Sequence, residues 1–181
     1  MPGETPRSTT LQAFFSSLNG LLSADGIMIP LSEKASNGEL MVDNQVVEVR
    51  EYLQRVLRNF WDAVAAVNPE ADSEPLTTVL WAPIGANAHH IGFADVLTTL
   101  IANDDYDFSP ARFEGMMSGS ETASYEFWFT KPGSKKSYYP NEKGDATTMT
   151  GVANYKRLGK MLAQQWRAQL HATTKAGVVS A

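Results

Sequence analysis

The sequence predicts a mainly α-helical, compact domain with minor β structure, on three observations. Apolar residues recur at spacings of three and four through several long stretches, the period of a helix that buries one face. Those stretches stop at helix-breaking steps such as Asn68-Pro69 and Asn103-Asp104-Asp105. Strand-like segments are few and short, confined to Ile27–Leu31 with Leu40–Val42 and to Tyr125–Thr130.

The elements follow in order. Residues 1–8 are polar and are expected to be disordered. From Thr9, residues Leu11, Phe14, Phe15, Leu18, Leu21 and Leu22 mark an amphipathic helix. Gly26, Pro30, Asn37, Gly38 and Asn44 make 23–45 a loop region that has room for a short hairpin. Val46–Val67 is the strongest helix. Tyr52, Leu53, Val56, Leu57, Phe60, Trp61 and Val64 line its apolar side, while Glu48, Glu51, Arg55, Arg58 and Asp62 line the other. Phe60, Trp61, Val56 and Leu57 are the expected centre of the core.

A second long helix is expected within Asn87–Ala102, with Phe93, Val96, Leu97, Leu100 and Ile101 inward. Ser109-Pro110 reads as an N-cap with proline in the first turn, opening a short helix that carries Phe113, Met116 and Met117. Residues 131–150 read as an exposed loop. The last helix covers about 151–171, and at 100° per residue Tyr155, Leu158, Leu162, Trp166 and Leu170 share one apolar sector. Residues 9–172 are therefore expected to form one domain, with 173–181 frayed, which suits a chain of 181 residues.

Charge is distributed unevenly. The chain carries a net −5, but residues 1–130 hold 6 basic against 18 acidic side chains and residues 131–181 hold 9 against 2. An anionic partner for the C-terminal third is one explanation, and packing of that third beside the acidic body is the other. There is no Cys, which removes thiol chemistry and Cys-based zinc sites. The N-terminal Met-Pro-Gly-Glu-Thr-Pro-Arg has no apolar core of a signal peptide. The longest uncharged run, Pro75–Ala94, includes Pro83, Asn87, His89 and His90, which are costly in hydrocarbon. A cytoplasmic protein without a membrane span is the expectation.

Four clusters invite a chemical reading. His89-His90 lacks the i,i+4 spacing and intervening Glu of a helical zinc site, so capping or packing is expected and no metal. Ser118 has Met116 where a nucleophile elbow needs Gly. Asp104, Asp105 and Asp107 have turn chemistry and no distal Glu of a calcium loop. Tyr125, Phe127, Trp128, Phe129, Tyr138 and Tyr139 interleave with Lys131, Lys135 and Lys136, a pattern that serves base stacking or plain burial. On the last helix Lys156, Lys160 and Arg167 form a stripe away from the apolar sector.

The order of segments around these clusters resembles a known family. A helix Leu53-Gln-Arg-Val-Leu-Arg-Asn-Phe-Trp-Asp-Ala-Val precedes Asn68-Pro69-Glu70-Ala71, then Leu76-Thr-Thr-Val-Leu-Trp-Ala-Pro-Ile-Gly85 and a further amphipathic helix. Over residues 46–170 this is similar to the C-terminal helical region of the DGQHR-domain proteins, which include the DndB-type regulators associated with DNA phosphorothioate modification. The Asp-Gly-Gln-His-Arg segment itself is missing, since Asp25-Gly26 is followed by Ile27-Met28. No functional residue carries over. The resemblance implies a non-catalytic accessory protein of a prokaryotic DNA-modification or defence system. Such a protein has a protein partner and needs no cofactor. Independently of the resemblance, the uneven charge points any nucleic-acid contact to Lys131, Lys135, Lys136, Lys156, Lys160 and Arg167. Two alternatives stand beside it: an enzyme with a site around His89, His90 and the 131–143 loop, and a structural phage or plasmid accessory protein. The first reading needs a continuous basic surface, the second a deep polar pocket, the third a large exposed apolar patch.

Overall fold

The computed structural model describes residues 14, 16–22, 41–42, 45–46, 49–73, 77–124, 126–128, 146 and 152–178. The named elements are α1 (Asn19–Leu22), β1 (Met41–Val42), β2 (Gln45–Val46), α2 (Val49–Val67), α3 (Pro69–Ser73), α4 (Pro83–Ala102), α5 (Pro110–Met117), a 3-10 turn (Glu126–Trp128) and α6 (Val152–Val178). The mainly helical class that the periodicity predicts is the one observed. Helices α4 and α6 pack most extensively on one another, α5 packs on both α2 and α6, and α1 packs on α4.

Helix α2 begins at Val49 rather than Val46 because Gln45 and Val46 are committed to an antiparallel ladder, Met41 opposite Val46 and Val42 opposite Gln45. The expected pairing partner Ile27–Leu31 lies outside the described residues. Along α2, Tyr52, Val56, Phe60, Ala63 and Val64 are buried while Glu51, Arg58 and Asp62 face water. The core stripe is narrower than the sequence suggests: Phe60 is 0% and Val56 2% exposed, whereas Leu57 and Trp61 are only partly buried. Trp61 sits on the flank, and its indole N–H reaches a polar partner in buried His90. Asn68 ends the helix by donating its amide to Val64 O at 2.9 Å, and Pro69 opens α3.

The α4–α6 contact depends on small residues. Ala88 and Gly92 on α4, four residues apart and so one turn above the other, face Gly159 on α6. A Cβ on Gly159 would lie 2.6 Å from the Ile91 side chain and 2.9 Å from Ala88 O. A Cβ on Gly92 would meet the Trp166 ring at 3.0 Å. Gly159→Ala should therefore destabilise the fold by about 1–3 kcal/mol through overpacking. Gly115 on α5 has nothing within 4 Å of its absent Cβ, so Gly115→Ala should be neutral or stabilising. Urea unfolding of the two variants measures the contrast, and equal stabilities would mean the helices do not cross at these glycines.

Helix α4 starts at Pro83, ahead of the expected Asn87, with proline in its first turn. Residues 77–82 fold back against that turn so closely that a Cβ on Gly85 would sit 1.8 Å from Leu80 O. Asp104 closes α4 in the left-handed region at φ 53°, a conformation a short polar side chain tolerates. The acidic cluster is turn chemistry, as expected. Asp105 accepts from Asp107 N at 3.2 Å, Asp107 accepts from Ser109 N at 3.1 Å, and Asp105 pairs with Arg112 at 2.6 Å. Ser109 caps α5 by accepting from Arg112 N at 3.2 Å. Of the strand-like 125–130 stretch, residues 126–128 instead form the 3-10 turn. Trp128 turns inward there, and its indole donates to Thr122 O at 2.8 Å, a geometry a flat strand does not provide. Gln165 of α6 receives both the backbone N and the hydroxyl of Thr122 and so ties this loop to the last helix.

Candidate functional site

Among the described residues, two places hold the candidate chemistry-bearing side chains: the histidine pair on α4 and the exposed face of α6. On a helix, neighbouring side chains point about 100° apart, so His89 and His90 enter different surroundings. His89 is 3% exposed, and its ring lies among those of Phe60, Trp61, Trp128 and Trp166, with centroids at 6.3, 5.5, 5.1 and 5.8 Å. Its Nδ1 donates to Gly85 O at 2.9 Å, which leaves Nε2 as a bare acceptor. Burial pushes its pKa down to about 4, against the opposing pull of that backbone bond.

His90 is 1% exposed and belongs to a relay whose direction is fixed by its ends. The Trp61 indole is only a donor, so at 3.1 Å it donates to Nε2. Nδ1 therefore carries the ring proton and donates to Ser17 Oγ at 2.7 Å, and the hydroxyl passes its own proton to Phe14 O at 2.7 Å. Burial, and then the charge of His89, push the His90 pKa down to about 3.

A Ser–His contact of this length invites a nucleophile-and-base reading. The polarity is the reverse of what that chemistry needs. A general base must offer Nδ1 as an acceptor to the hydroxyl, and here Trp61 occupies the other nitrogen as a donor. Both histidines are neutral packing and hydrogen-bonding groups. The recess beside His89, lined also by Val67, Asn68, Met117, Ser120, Thr122, Leu162 and Trp166, has about 170 Å³ of empty space counting its part open to solvent. Substrate pockets are generally several hundred Å³. Asn68 Oδ1 is buried in this neighbourhood without a hydrogen-bond partner among the described residues. No group of three His, Cys, Asp or Glu that could hold a metal occurs among the described residues.

The face of α6 is different. This 27-residue helix contains no acidic residue, and Lys156, Arg157 and Lys160 are all exposed near its N-terminal end. Their side chains fall in one sector opposite buried Leu158, Leu162 and Trp166. Arg167 lies two turns further along the same sector, but it is paired with Asp95 of α4, both about one-third exposed. The predicted stripe is thus brought onto one face, with Arg157 as a member that the sequence reading left out. The signal was available, since Arg157 lies within 100° of Lys156 on the helix. Ser17 and Asp95 were also missed, because partners 73 and 72 residues away leave no local pattern. Lys131, Lys135, Lys136 and the rest of the 131–143 loop lie outside the described residues. Among the described residues no helix is long and apolar enough to cross a membrane.

No known protein family, no characterised protein and no solved structure matches the chain.

Proposed function

We propose that this is a non-catalytic interaction protein that engages duplex DNA through the basic face of α6, in a cytoplasmic complex with a protein partner. The observation that carries the reading is the acid-free α6, with Lys156, Arg157 and Lys160 side by side and exposed, in a chain of net charge −5. A molecule that repels phosphate on the whole attracts it only through a local patch, and the acidic body then disfavours the wrong approach. The His90 ring, with both nitrogens engaged, and the buried His89 speak for binding rather than catalysis. The resemblance of residues 46–170 to the DGQHR-domain region supports a prokaryotic DNA-modification or defence setting. Lys131, Lys135 and Lys136 belong to the proposed interface as its second element.

The test is a binding titration on duplex DNA at several salt concentrations. Each phosphate contact contributes about −0.9 to the slope of log affinity against log salt. Replacing Lys156, Arg157 and Lys160 by Gln together should flatten the slope by about two to three units. Sequence preference should hardly change, because phosphate contacts position the protein without reading bases. Arg167→Gln should change the slope by less than one of the three, since Asp95 already neutralises it. Absence of binding at low salt would remove the DNA reading, and an unchanged slope in the triple variant would move the contact to the Lys131–Lys136 loop.

A further inference from the structure

We propose that residues 14 and 16–22 form a proton-sensitive latch, held on the body by a hydrogen-bond relay through neutral His90 and released when that ring is protonated, while α2, α4 and α6 stay folded. The relay runs Trp61 Nε1–H to His90 Nε2, His90 Nδ1–H to Ser17 Oγ, and Ser17 O–H to Phe14 O. A second proton on His90 has to sit on Nε2, where it meets the Trp61 N–H at a donor-to-nitrogen distance of 3.1 Å. Two donors then face each other and the bond becomes a repulsion.

The charged ring needs water, and the layout decides where water enters. One side of His90 is the Trp61 ring of α2, edge-on with centroids 5.3 Å apart. The other side is covered by the segment itself: Phe14 stands edge-on at 5.1 Å, and Ser17 lies at hydrogen-bond distance. Leu18 and Leu21 of the segment are buried in the core cluster, α1 packs on α4 and Phe14 meets Trp61 of α2 at 6.1 Å, whereas α2, α4, α5 and α6 are knit together around Phe60. Lifting the segment hydrates His90 and leaves that knot in place.

Among the described residues no compensating charge sits at the ring. The described residues of the segment are Phe14, Ser16, Ser17, Leu18, Asn19, Gly20, Leu21 and Leu22, none of them titratable. From α2 the packed residue is Trp61, and Arg58 and Asp62 beside it are on the exposed side. On α4 the titratable neighbour is His89, whose charge opposes that of His90, and Asp95 further along is paired with Arg167. Of the charged groups of α6 whose side chains are described, Lys156, Arg157 and Lys160 are exposed on its outer face and Arg167 is paired with Asp95. Protonation is thus not offset by a carboxylate of the described residues, and opening is coupled to one proton.

The experiment is amide hydrogen exchange on the whole chain between pH 7 and pH 4.5, corrected for the intrinsic pH dependence of exchange. Opening coupled to one proton should lower the protection of amides 16–22 about tenfold per pH unit below about 6.5, with α4 and α6 amides still protected. His90→Gln should remove that pH dependence. Ser17→Ala leaves the ring in place and should raise opening at pH 7 about threefold to tenfold, the worth of one hydrogen bond. Simultaneous loss of protection in 16–22, α4 and α6, or protection of 16–22 that does not vary with pH in the wild type, would overturn the latch. Neither outcome depends on whether the α6 face binds DNA.

Discussion

Phe60→Ala should cost about 3–5 kcal/mol and bring the domain close to unfolding, since domains of this kind are stable by about 5–15 kcal/mol. The ring is fully buried and sits where four helices meet. It stacks on Phe93 of α4 at 4.0 Å and 17°, and meets Phe113 of α5 and Trp166 of α6 edge-on at 5.9 and 5.8 Å. Removing it leaves a cavity bounded by rigid rings, which cannot collapse inward without each giving up its own packing. The melting temperature should drop by roughly 6–20 °C for a chain of this size. Trp61 is the neighbouring and larger side chain, but it is partly exposed, and part of its contribution is the bond to His90. Trp61→Phe, which keeps an aromatic ring there and removes the N–H, should cost less than Phe60→Ala. Urea unfolding of both variants gives the comparison. A Phe60→Ala protein within about 1 kcal/mol of wild type would mean that the four helices do not meet at this ring.

That comparison marks where the sequence is legible and where it is not. The periodicity of 46–67, the Ser109-Pro110 cap and the stop at Asn103-Asp104 are local signals, and the structure reproduces them in α2, α5 and the end of α4. Choosing between Phe60 and Trp61 as the centre of the core needed to know which of two adjacent faces receives α4, α5 and α6, which hydrophobicity alone does not say. The 3-10 turn at 126–128 was read as strand-like because Tyr, Phe and Trp favour strands in general. What decides it is the bond from Trp128 to Thr122 and from Thr122 to Gln165, a tertiary constraint. The spacing of the histidine pair shows no helical zinc motif, but its relay is not legible in the sequence: Ser17, Trp61 and His90 come from three separate segments. The stripe on α6 was legible because it needs only helical geometry. Its pairing of Arg167 with Asp95 was hidden for the same reason as the relay.

Acidification should destabilise this protein well above the pH at which carboxylates titrate. His89 and His90 have their pKa values pushed from 6.5 down to about 4 and about 3, chiefly by burial. In the unfolded chain both titrate near 6.5. Above that pH each ring is neutral in both states and contributes no pH dependence. Between 6.5 and the folded value the unfolded chain holds the extra proton and the native state does not, so stability falls as pH falls. The slope is about 1.4 kcal/mol per pH unit for each ring. His89 alone, enclosed by Phe60, Trp61, Trp128 and Trp166, should remove on the order of 3 kcal/mol by pH 4. His90 adds the same slope only while the 14–22 segment covers it. Once that segment lifts, the ring titrates freely and its share of the slope disappears. Urea midpoints measured from pH 7.5 to 4 should therefore be flat at first, then fall with a slope between one and two protons, approaching one at the acid end. His89→Leu keeps an apolar side chain against the same rings and should flatten the acid limb by about one proton, whatever it does to stability at pH 7. Stability that stays level from pH 7 to pH 5, or a limb that His89→Leu leaves unaltered, would mean that His89 is hydrated in the native state.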